Sequence, residues 1–238
     1  MHHLPLYIPI VFIFTIILAL YLFYKSIVRY RPFIGILIAW LLFQSILAIG
    51  GFYLETQPLV PRFLFLILPP MVGLVLYFSL PKTRLFAGHL ELKWLTLLHT
   101  LRIPVEMVLF WLYIQKTLPQ IMTFEGRNPD ILVGLTAPFI YYFGFIKNRL
   151  PLRTILIWNL ISLGLLLNIV VIAILSMPLS IQQFGFDQPD IALFYFPFAL
   201  LPGFMVPLVM FAHLFSIRQL LVRKTESPSA NSSTSIIK

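Results

Sequence analysis

Residues 95–113 read LTLLHTLRIPVEMVLFWLY, a nineteen-residue run in which apolar side chains surround His99, Arg102 and Glu106. A membrane-spanning helix needs about 20 predominantly apolar residues, so this run has the length of a span. The spacings of three and four residues place the three ionisable side chains on one helical face. Because a charge at the centre of a membrane helix costs about 2.5–3.5 kcal/mol, we expect this face to point into a helical bundle rather than into lipid.

The composition of the whole chain agrees with a membrane location. Hydrophobic residues make up 60% of the 238 residues and charged residues 11%, whereas soluble domains have about 45–50% and about 25%. An ordinary water-soluble globule is therefore excluded. The absence of cysteine also excludes disulfides, thiolate metal sites, iron–sulfur ligation and cysteine nucleophiles.

Six further apolar runs flank residues 95–113. Their lengths predict helices rather than barrel strands of about 9–11 residues, since lipid requires backbone hydrogen bonds to be satisfied within each segment. We predict an all-α integral membrane protein, a seven-transmembrane-helix bundle that forms one domain over residues 1–224, followed by a Ser-rich, disordered cytoplasmic tail at 225–238. The predicted spans are about 6–24, 33–53, 63–80, 95–115, 131–147, 154–178 and 191–217.

The basic residues predict the orientation of this bundle. Of 17 Lys and Arg residues, thirteen fall in the segments on one side of the predicted membrane and three on the other, with Arg102 inside a span. Cytoplasmic loops carry an excess of Lys and Arg, so we predict the N-terminus outside and the C-terminus in the cytoplasm of an inner (plasma) membrane protein. Topology and attraction to acidic lipids explain the net charge of +9, so nucleic acid is not a predicted partner.

Polar residues of other spans fall at depths similar to those of His99, Arg102 and Glu106 once the orientation is applied. We predict that they form one polar pocket within the membrane, because unpaired polar groups are costly in lipid. The predicted ligand-binding residues are His99, Arg102, Glu106, Asn159, His213 and Gln44.

The chemistry of this pocket suggests a small ligand. Arg102 offers a planar cationic fork that suits carboxylate or phosphate, and Glu106 would neutralise Arg102 in the empty state. The two histidines titrate near neutral pH and are suited to relaying a proton. The leading interpretation is a protein that binds, transports or senses a small anionic or amphiphilic ligand and is not an enzyme. The alternative is a non-catalytic membrane subunit of a larger complex, in which the polar pair locks helices together and a membrane protein is the partner.

A b-type haem protein or a membrane enzyme is the third interpretation. Neutral imidazole is a standard axial haem ligand, so His99 and His213 would be the ligands. A zinc hydrolase would need several convergent ligands, and the chain has no HExxH motif. The leading interpretation therefore includes neither a metal nor a cofactor.

Two loops on the predicted outer side resemble each other. Residues 124–131 read FEGRNPDI and residues 184–191 read FGFDQPDI, with Phe, Pro, Asp and Ile shared at an offset of 60. Each Asp precedes an apolar run, where its carboxylate is predicted to cap the start of a helix. An outer rim that binds a ligand is the alternative, formed by Glu125, Arg127, Asn128, Asp130, Asp187 and Asp190.

Proline and small residues predict two further local features. Pro197, Pro202 and Pro207 should make the last span irregular, since each removes a backbone donor. Gly134 and Gly144 should allow the fifth span to pack closely against its neighbours.

Overall fold

The computed structural model describes residues 4–28, 32–55, 62–80 and 90–226. Over these residues the chain forms seven long helices, and its extended backbone pairing is limited to an isolated bridge between Ile27 and Leu90. The helices are α1 Tyr7–Ser26, α2 Pro32–Ile49, α3 Leu64–Ser79, α4 Leu92–Ile114, α5 Ile131–Ile146, α6 Leu152–Ser176 and α7 Val206–Glu226.

Four of the helical segments have the length and apolar composition needed to cross a membrane. They are Tyr7–Ser26, Leu92–Ile114, Leu152–Ser176 and Leu201–Arg223. The apolar helices Phe33–Ile49, Leu64–Ser79 and Ile131–Ile146 are shorter. The all-helical class is thus confirmed and the chain has the helices of a membrane protein, whereas the count of seven spans and the orientation stay predictions.

The last helix differs most from its predicted bounds. Helical structure begins at Leu201, about ten residues after the predicted start, and continues to Glu226. The preceding segment contains only a short 3-10 turn, Ala192–Phe194, and then Pro197, which lacks the N–H that a helix would use. The predicted irregularity is confirmed by a π-helical turn, Leu201–Met205, that contains Pro202. Residues 225 and 226 continue α7 rather than starting a disordered tail, and 227–238 lie outside the described residues.

Helix α4 packs in the apolar core against α1, α5 and α7. The contact between α4 and α5 is close, because a Cβ atom added to Gly134 would lie 2.8 Å from the Ile103 side chain and 3.0 Å from its backbone nitrogen. A Cβ on Gly144 would lie 3.1 Å from Ile155, so the predicted close packing of the small residues is confirmed. Since Ile103 lies midway along α4 and Gly134 in the first turn of α5, the segment before α5 reaches the middle of α4.

The loop that contains residues 184–191 is held by hydrogen bonds to the ends of α4 and α6 and to the segment after α4. The Ala192 N–H donates to the Thr117 carbonyl at 3.1 Å, and the Asp190 N–H to the Ser176 carbonyl at 3.0 Å. The Gln188 side-chain amide donates to the carbonyls of Tyr113 at 2.9 Å and Leu118 at 2.6 Å. These bonds tie residues 177–192 to the segment that follows α4.

Candidate functional site

Arg102 lies in the middle of the bundle and forms an ion pair with Asp130. Its side chain is 4% exposed, and Nη1 donates to Asp130 Oδ1. The two terminal nitrogens also lie 3.4 and 3.5 Å from the Ser162 carbonyl. The spacing on α4 predicted that Arg102 pairs with Glu106. The structure instead pairs Arg102 with Asp130, a residue of the predicted outer rim that directly precedes α5.

His213 continues the network from Arg102 towards α6. Its Nε2 lies 2.9 Å from Arg102 Nη2, and its Nδ1 lies 3.0 Å from Asn159 Oδ1. A guanidinium only donates, so Nε2 accepts and the Nδ1–H donates to Asn159. The Asn159 amide in turn donates to the Ile155 carbonyl at 2.9 Å. This arrangement suits a neutral imidazole in one tautomer.

Glu106 is held by Asn128 instead of by Arg102. The Asn128 amide donates to Glu106 Oε1 at 2.6 Å and to the Met122 carbonyl at 3.0 Å, while the Asn128 Oδ1 accepts from the Asp130 N–H at 3.3 Å. The second carboxylate oxygen, Glu106 Oε2, is buried and has no hydrogen-bond partner among the described residues. Only one of the two Glu106 carboxylate oxygens therefore accepts a hydrogen bond from the described residues.

The loop that carries Asn128 depends on a glycine. A Cβ atom on Gly126 would lie 2.3 Å from the Gln120 carbonyl oxygen and 2.6 Å from the Ile121 Cα. These neighbours are backbone atoms of the 3-10 turn Gln120–Met122, so they have little freedom to move aside. Gly126 thus lets the chain fold back and bring Asn128 to Glu106.

His99 completes the cluster by stacking on His213. The ring centroids are 3.8 Å apart and the planes are tilted by 10°. Trp158 packs edge-on against His99 at 5.6 Å. Both ring nitrogens of His99 are buried without a hydrogen-bond partner in the part of the chain that the structure describes.

A cavity of about 60 Å³ adjoins Arg102, Glu106 and Asp130, and apolar side chains of α4, α6 and residues 201–209 form the rest of its wall. A water molecule needs about 10–15 Å³ of such volume, so the cavity has room for a few waters and not for a metabolite. The side chains of Arg102, Glu106 and Asp130 provide the polar groups that would hydrogen-bond a water in this cavity.

Gln44 is the one predicted pocket residue that does not join this cluster. It accepts from the Tyr53 hydroxyl, and its amide lies 3.4 Å from the Phe65 carbonyl. It therefore belongs to a separate buried group near the end of α2. Similar depth along the membrane normal was not enough to predict contact, because Tyr53 offers Gln44 a partner close by in the chain.

The predicted outer rim divides into two groups. Glu125, Arg127 and Asp187 are exposed. Asn128, Asp130 and Asp190 are buried, with exposed fractions of 1%, 5% and 0%. The capping prediction is wrong for Asp130, whose side chain makes no cap hydrogen bond, and wrong for Asp190, which is followed by a 3-10 turn rather than a long helix. Asn128 and Asp130 were thus predicted as surface residues although they hold Glu106 and Arg102.

Asp190 is buried beside the end of α6 and has no charged partner among the described residues. Its two carboxylate oxygens have no partner at hydrogen-bond geometry among the described residues. Burial raises the pKa of Asp190 to about 8, and the Leu193 backbone N–H is the influence that opposes this rise. A carboxyl in this environment is held in its neutral form at neutral pH.

The arrangement disfavours the predicted haem ligation. Two axial imidazoles must lie on opposite faces of a haem, whereas His99 and His213 lie face to face in contact. Within the described residues, no group of three or more His, Asp or Glu side chains is arranged to hold a metal ion. The geometry suits hydrogen bonding and proton exchange better than metal coordination.

Residues 60–221 match the family described as a domain of unknown function (DUF8737). The chain belongs to this family. The matched region contains α3 to α6, α7 as far as residue 221, and every residue of the Arg102 network, whereas α1, α2 and Gln44 precede it. No curated protein and no solved structure matches the chain.

Proposed function

We propose that the chain is a multi-pass membrane protein whose buried Arg102 network binds a proton and couples it to transport or sensing. The observation that carries this proposal is the charge count around the small cavity. Arg102 supplies one positive charge, while Asp130 and Glu106 supply two carboxyls. With both carboxyls ionised and both imidazoles neutral, the site would hold one excess negative charge in the bundle interior.

An uncompensated charge of this kind is strongly disfavoured in a protein interior. One proton on Glu106 would bring the net charge of the site to zero. Glu106 Oε2 is the carboxylate oxygen of this site that lacks a hydrogen-bond partner among the described residues. Protonation of His99 or His213 would instead add positive charge beside Arg102, which Coulomb repulsion opposes. The titratable groups around Glu106 therefore favour a proton on the carboxylate.

A proton takes the place of the small anionic ligand that the sequence analysis inferred from Arg102. Asp130 already occupies one terminal nitrogen of the guanidinium, and the cavity of about 60 Å³ has room only for a very small anion. A proton or a few waters fits this volume. We retain binding, transport or sensing as the function and infer that a proton is the species that the site takes up.

Infrared spectroscopy across a pH titration tests this inference. The carbonyl stretch of protonated carboxylic acids should appear in the purified full-length protein. The part that belongs to Glu106 should be lost in Glu106→Gln, which keeps the shape and the Asn128 contact, while the part from the neutral Asp190 remains. Asp187→Asn, a change of an exposed carboxyl, is the matched control and should leave the band unchanged. A band that is the same in Glu106→Gln and the parent would overturn the proposal.

A proton function also predicts movement of protons in vesicles. Proteoliposomes that enclose a pH-sensitive dye should acidify faster under an imposed pH gradient with the parent chain than with Glu106→Gln. Equal rates, combined with a Glu106 infrared band, would retain proton binding and favour sensing over transport.

A structural lock within a larger membrane complex is the second candidate. The Arg102–Asp130 ion pair joins α4 to α5 at the point where Gly134 brings the helices together, which favours this alternative. Exchanging the pair, with Arg102→Asp and Asp130→Arg together, distinguishes the two. A double variant that recovers both folding and proton binding would support a lock that is separate from the Glu106 site.

We also propose the inner membrane location with the N-terminus outside. The chain has no cysteine, so single cysteines report the side cleanly. Asp187→Cys should react with an impermeant reagent from outside and Arg153→Cys only from the cytoplasm, since both side chains are exposed. The opposite labelling would reverse the orientation.

A further inference from the structure

A second cavity, of about 400 Å³, lies between α1, α2, α3 and α7 and is separate from the Arg102 network. We call it the lateral groove. Its lining is apolar and aromatic and includes Phe23, Trp40, Gly73, Tyr77 and Phe211. The volume lies within the range of about 300–1,000 Å³ that ligand sites have.

Proline and glycine leave the lateral groove unfilled. Pro69, Pro70 and Gly73 of α3 and Pro207 of α7 line it. These residues have short side chains, and a Cβ atom on Gly73 would meet no atom within 4 Å. The groove wall is held in shape by Trp40, whose indole N–H donates to the Gly203 carbonyl at 2.9 Å.

Positive charge lies at one end of the lateral groove. Phe204, Phe211 and Arg218 follow one another at intervals of seven residues on α7 and the turn before it, so they share a helical face. Seven residues of helix advance about 10 Å, which sets Arg218 beyond the apolar lining. Arg218 lies near enough to Tyr77 for an electrostatic interaction, and the Tyr77 ring packs 5.2 Å from Phe211.

Arg218 is partly exposed. An apolar channel that ends at a cationic side chain has the polarity of an anionic lipid, with chain and headgroup in that order.

We propose that the lateral groove binds one acyl chain of an anionic phospholipid, with the headgroup phosphate held by Arg218. Four helices are long and apolar enough to cross a membrane, so a lipid bilayer would surround this groove. Guanidinium groups bind phosphate through paired hydrogen bonds. This inference concerns a site that is distinct from Glu106, so it does not depend on the proposed proton function.

Native mass spectrometry of the full-length protein tests the lipid site. The purified chain, released from micelles that contain equal amounts of phosphatidylglycerol and phosphatidylcholine, should retain phosphatidylglycerol in about fivefold excess, the factor expected of one basic residue near a membrane surface. Arg218→Gln should abolish this preference. The total amount of bound lipid should fall by a smaller factor than the preference does. The matched control is Arg153→Gln, which removes an exposed basic residue at the start of α6.

Filling the groove tests the acyl-chain part of the inference. Gly73→Leu should reduce the binding of both lipids severalfold, and Gly73→Ala should reduce it less. Gly164→Leu is the control, because a Cβ on Gly164 also meets nothing within 4 Å but lies on α6. The elution volume and helical circular dichroism of each variant report whether it folds, and Gly73→Ala keeps the test valid if the leucine does not fit.

Three results would overturn the proposal. The first is equal retention of the two lipids by the parent chain. The second is undiminished binding in both Gly73 variants. The third is a lipid-free dimer that becomes monomeric in Gly73→Leu, since a second copy of the chain would then cover the groove.

Discussion

Asp130 and Asp190 occupy the same place in two similar loop sequences, and both are buried, yet their surroundings differ. Asp130 forms an ion pair with Arg102. Asp190 has no partner for its carboxylate oxygens among the described residues and carries a pKa raised to about 8. The comparison shows that the motif PDI does not set the charge of its Asp, because the partner comes from a different helix.

Removing Arg102 should convert Asp130 into a second unpaired aspartate. Arg102→Leu leaves two buried carboxyls without their cation, and breaking a buried pair in this way costs about 3–5 kcal/mol. Chemical denaturation in detergent should show this loss, and Arg102→Leu combined with Asp130→Asn should recover part of it. Arg127→Leu, at an exposed position, is the control. Unchanged stability of Arg102→Leu would mean that the ion pair does not distinguish the two loops.

The pH dependence of stability should identify Asp190. Its folded pKa of about 8 lies above the ordinary value of 3.8, so the folded state holds a proton that the unfolded state has released between these pH values. The stability that this proton supports is complete below about pH 4 and is lost as pH rises towards 8, by up to about 1.4 kcal/mol per pH unit.

Asp190→Asn should therefore reduce the slope of this dependence by the contribution of one proton, leaving that of Glu106, and make the protein more stable than the parent at pH 8. Thermal unfolding from pH 5 to 9 measures this difference. Asp187→Asn changes an exposed neighbour and should keep the dependence of the parent. A slope as steep in Asp190→Asn as in the parent would assign the titration to another group.

Gly126→Ala should disturb the loop that holds Asn128 and Asp130 without touching the other loop. The added Cβ would lie 2.3 Å from a backbone oxygen, and overpacking of this kind costs about 1–3 kcal/mol. Gly164→Ala introduces the same methyl group where no atom lies within 4 Å and should not destabilise the protein. Equal effects of the two substitutions on the denaturation midpoint would contradict the role of Gly126.

Gln188→Ala should have the smallest effect and should loosen only the loop around Asp190. It removes donors to the carbonyls of Tyr113 and Leu118, and each such hydrogen bond contributes about 0.5–1.5 kcal/mol. Amide hydrogen exchange should accelerate in residues 183–192 and remain unchanged near Asp130. The control is Gln183→Ala, at an exposed position in the same loop. Faster exchange near Asp130 as well would show that the two loops act as one unit.

The sequence predicted five members of the polar cluster, because ionisable residues inside apolar runs have few stable positions other than the bundle interior. His99, Arg102, Glu106, Asn159 and His213 all lie there. The prediction missed Asn128 and Asp130 as their partners. Charge balance offered no hint, since Arg102 and Glu106 alone would form a neutral pair, and no spacing rule relates Arg102 to a loop residue 28 positions away.

Local sequence patterns also failed to predict one helix start and one side-chain contact. Apolar composition predicted helix from residue 191, whereas Pro197 and its neighbours delay it to Leu201. Gln44 was placed with Arg102 by depth, and its contact with Tyr53 depends on which face of α2 packs inward. Hydropathy reports depth and length, but it carries little information about the rotation of a helix that is apolar on all sides.

Composition and apolar run length by themselves determined that the chain is helical and rich in membrane-length segments, because lipid permits few other backbone structures. They also located Arg102 and Glu106 as the two charges inside an apolar run. Only the tertiary structure decided that Asp130 neutralises Arg102 and that one Glu106 carboxylate oxygen has no hydrogen-bond partner among the described residues. The physical reason is that the hydropathy of one segment predicts whether that segment enters the membrane, whereas pairing depends on the close contact of α4 and α5 at Gly134.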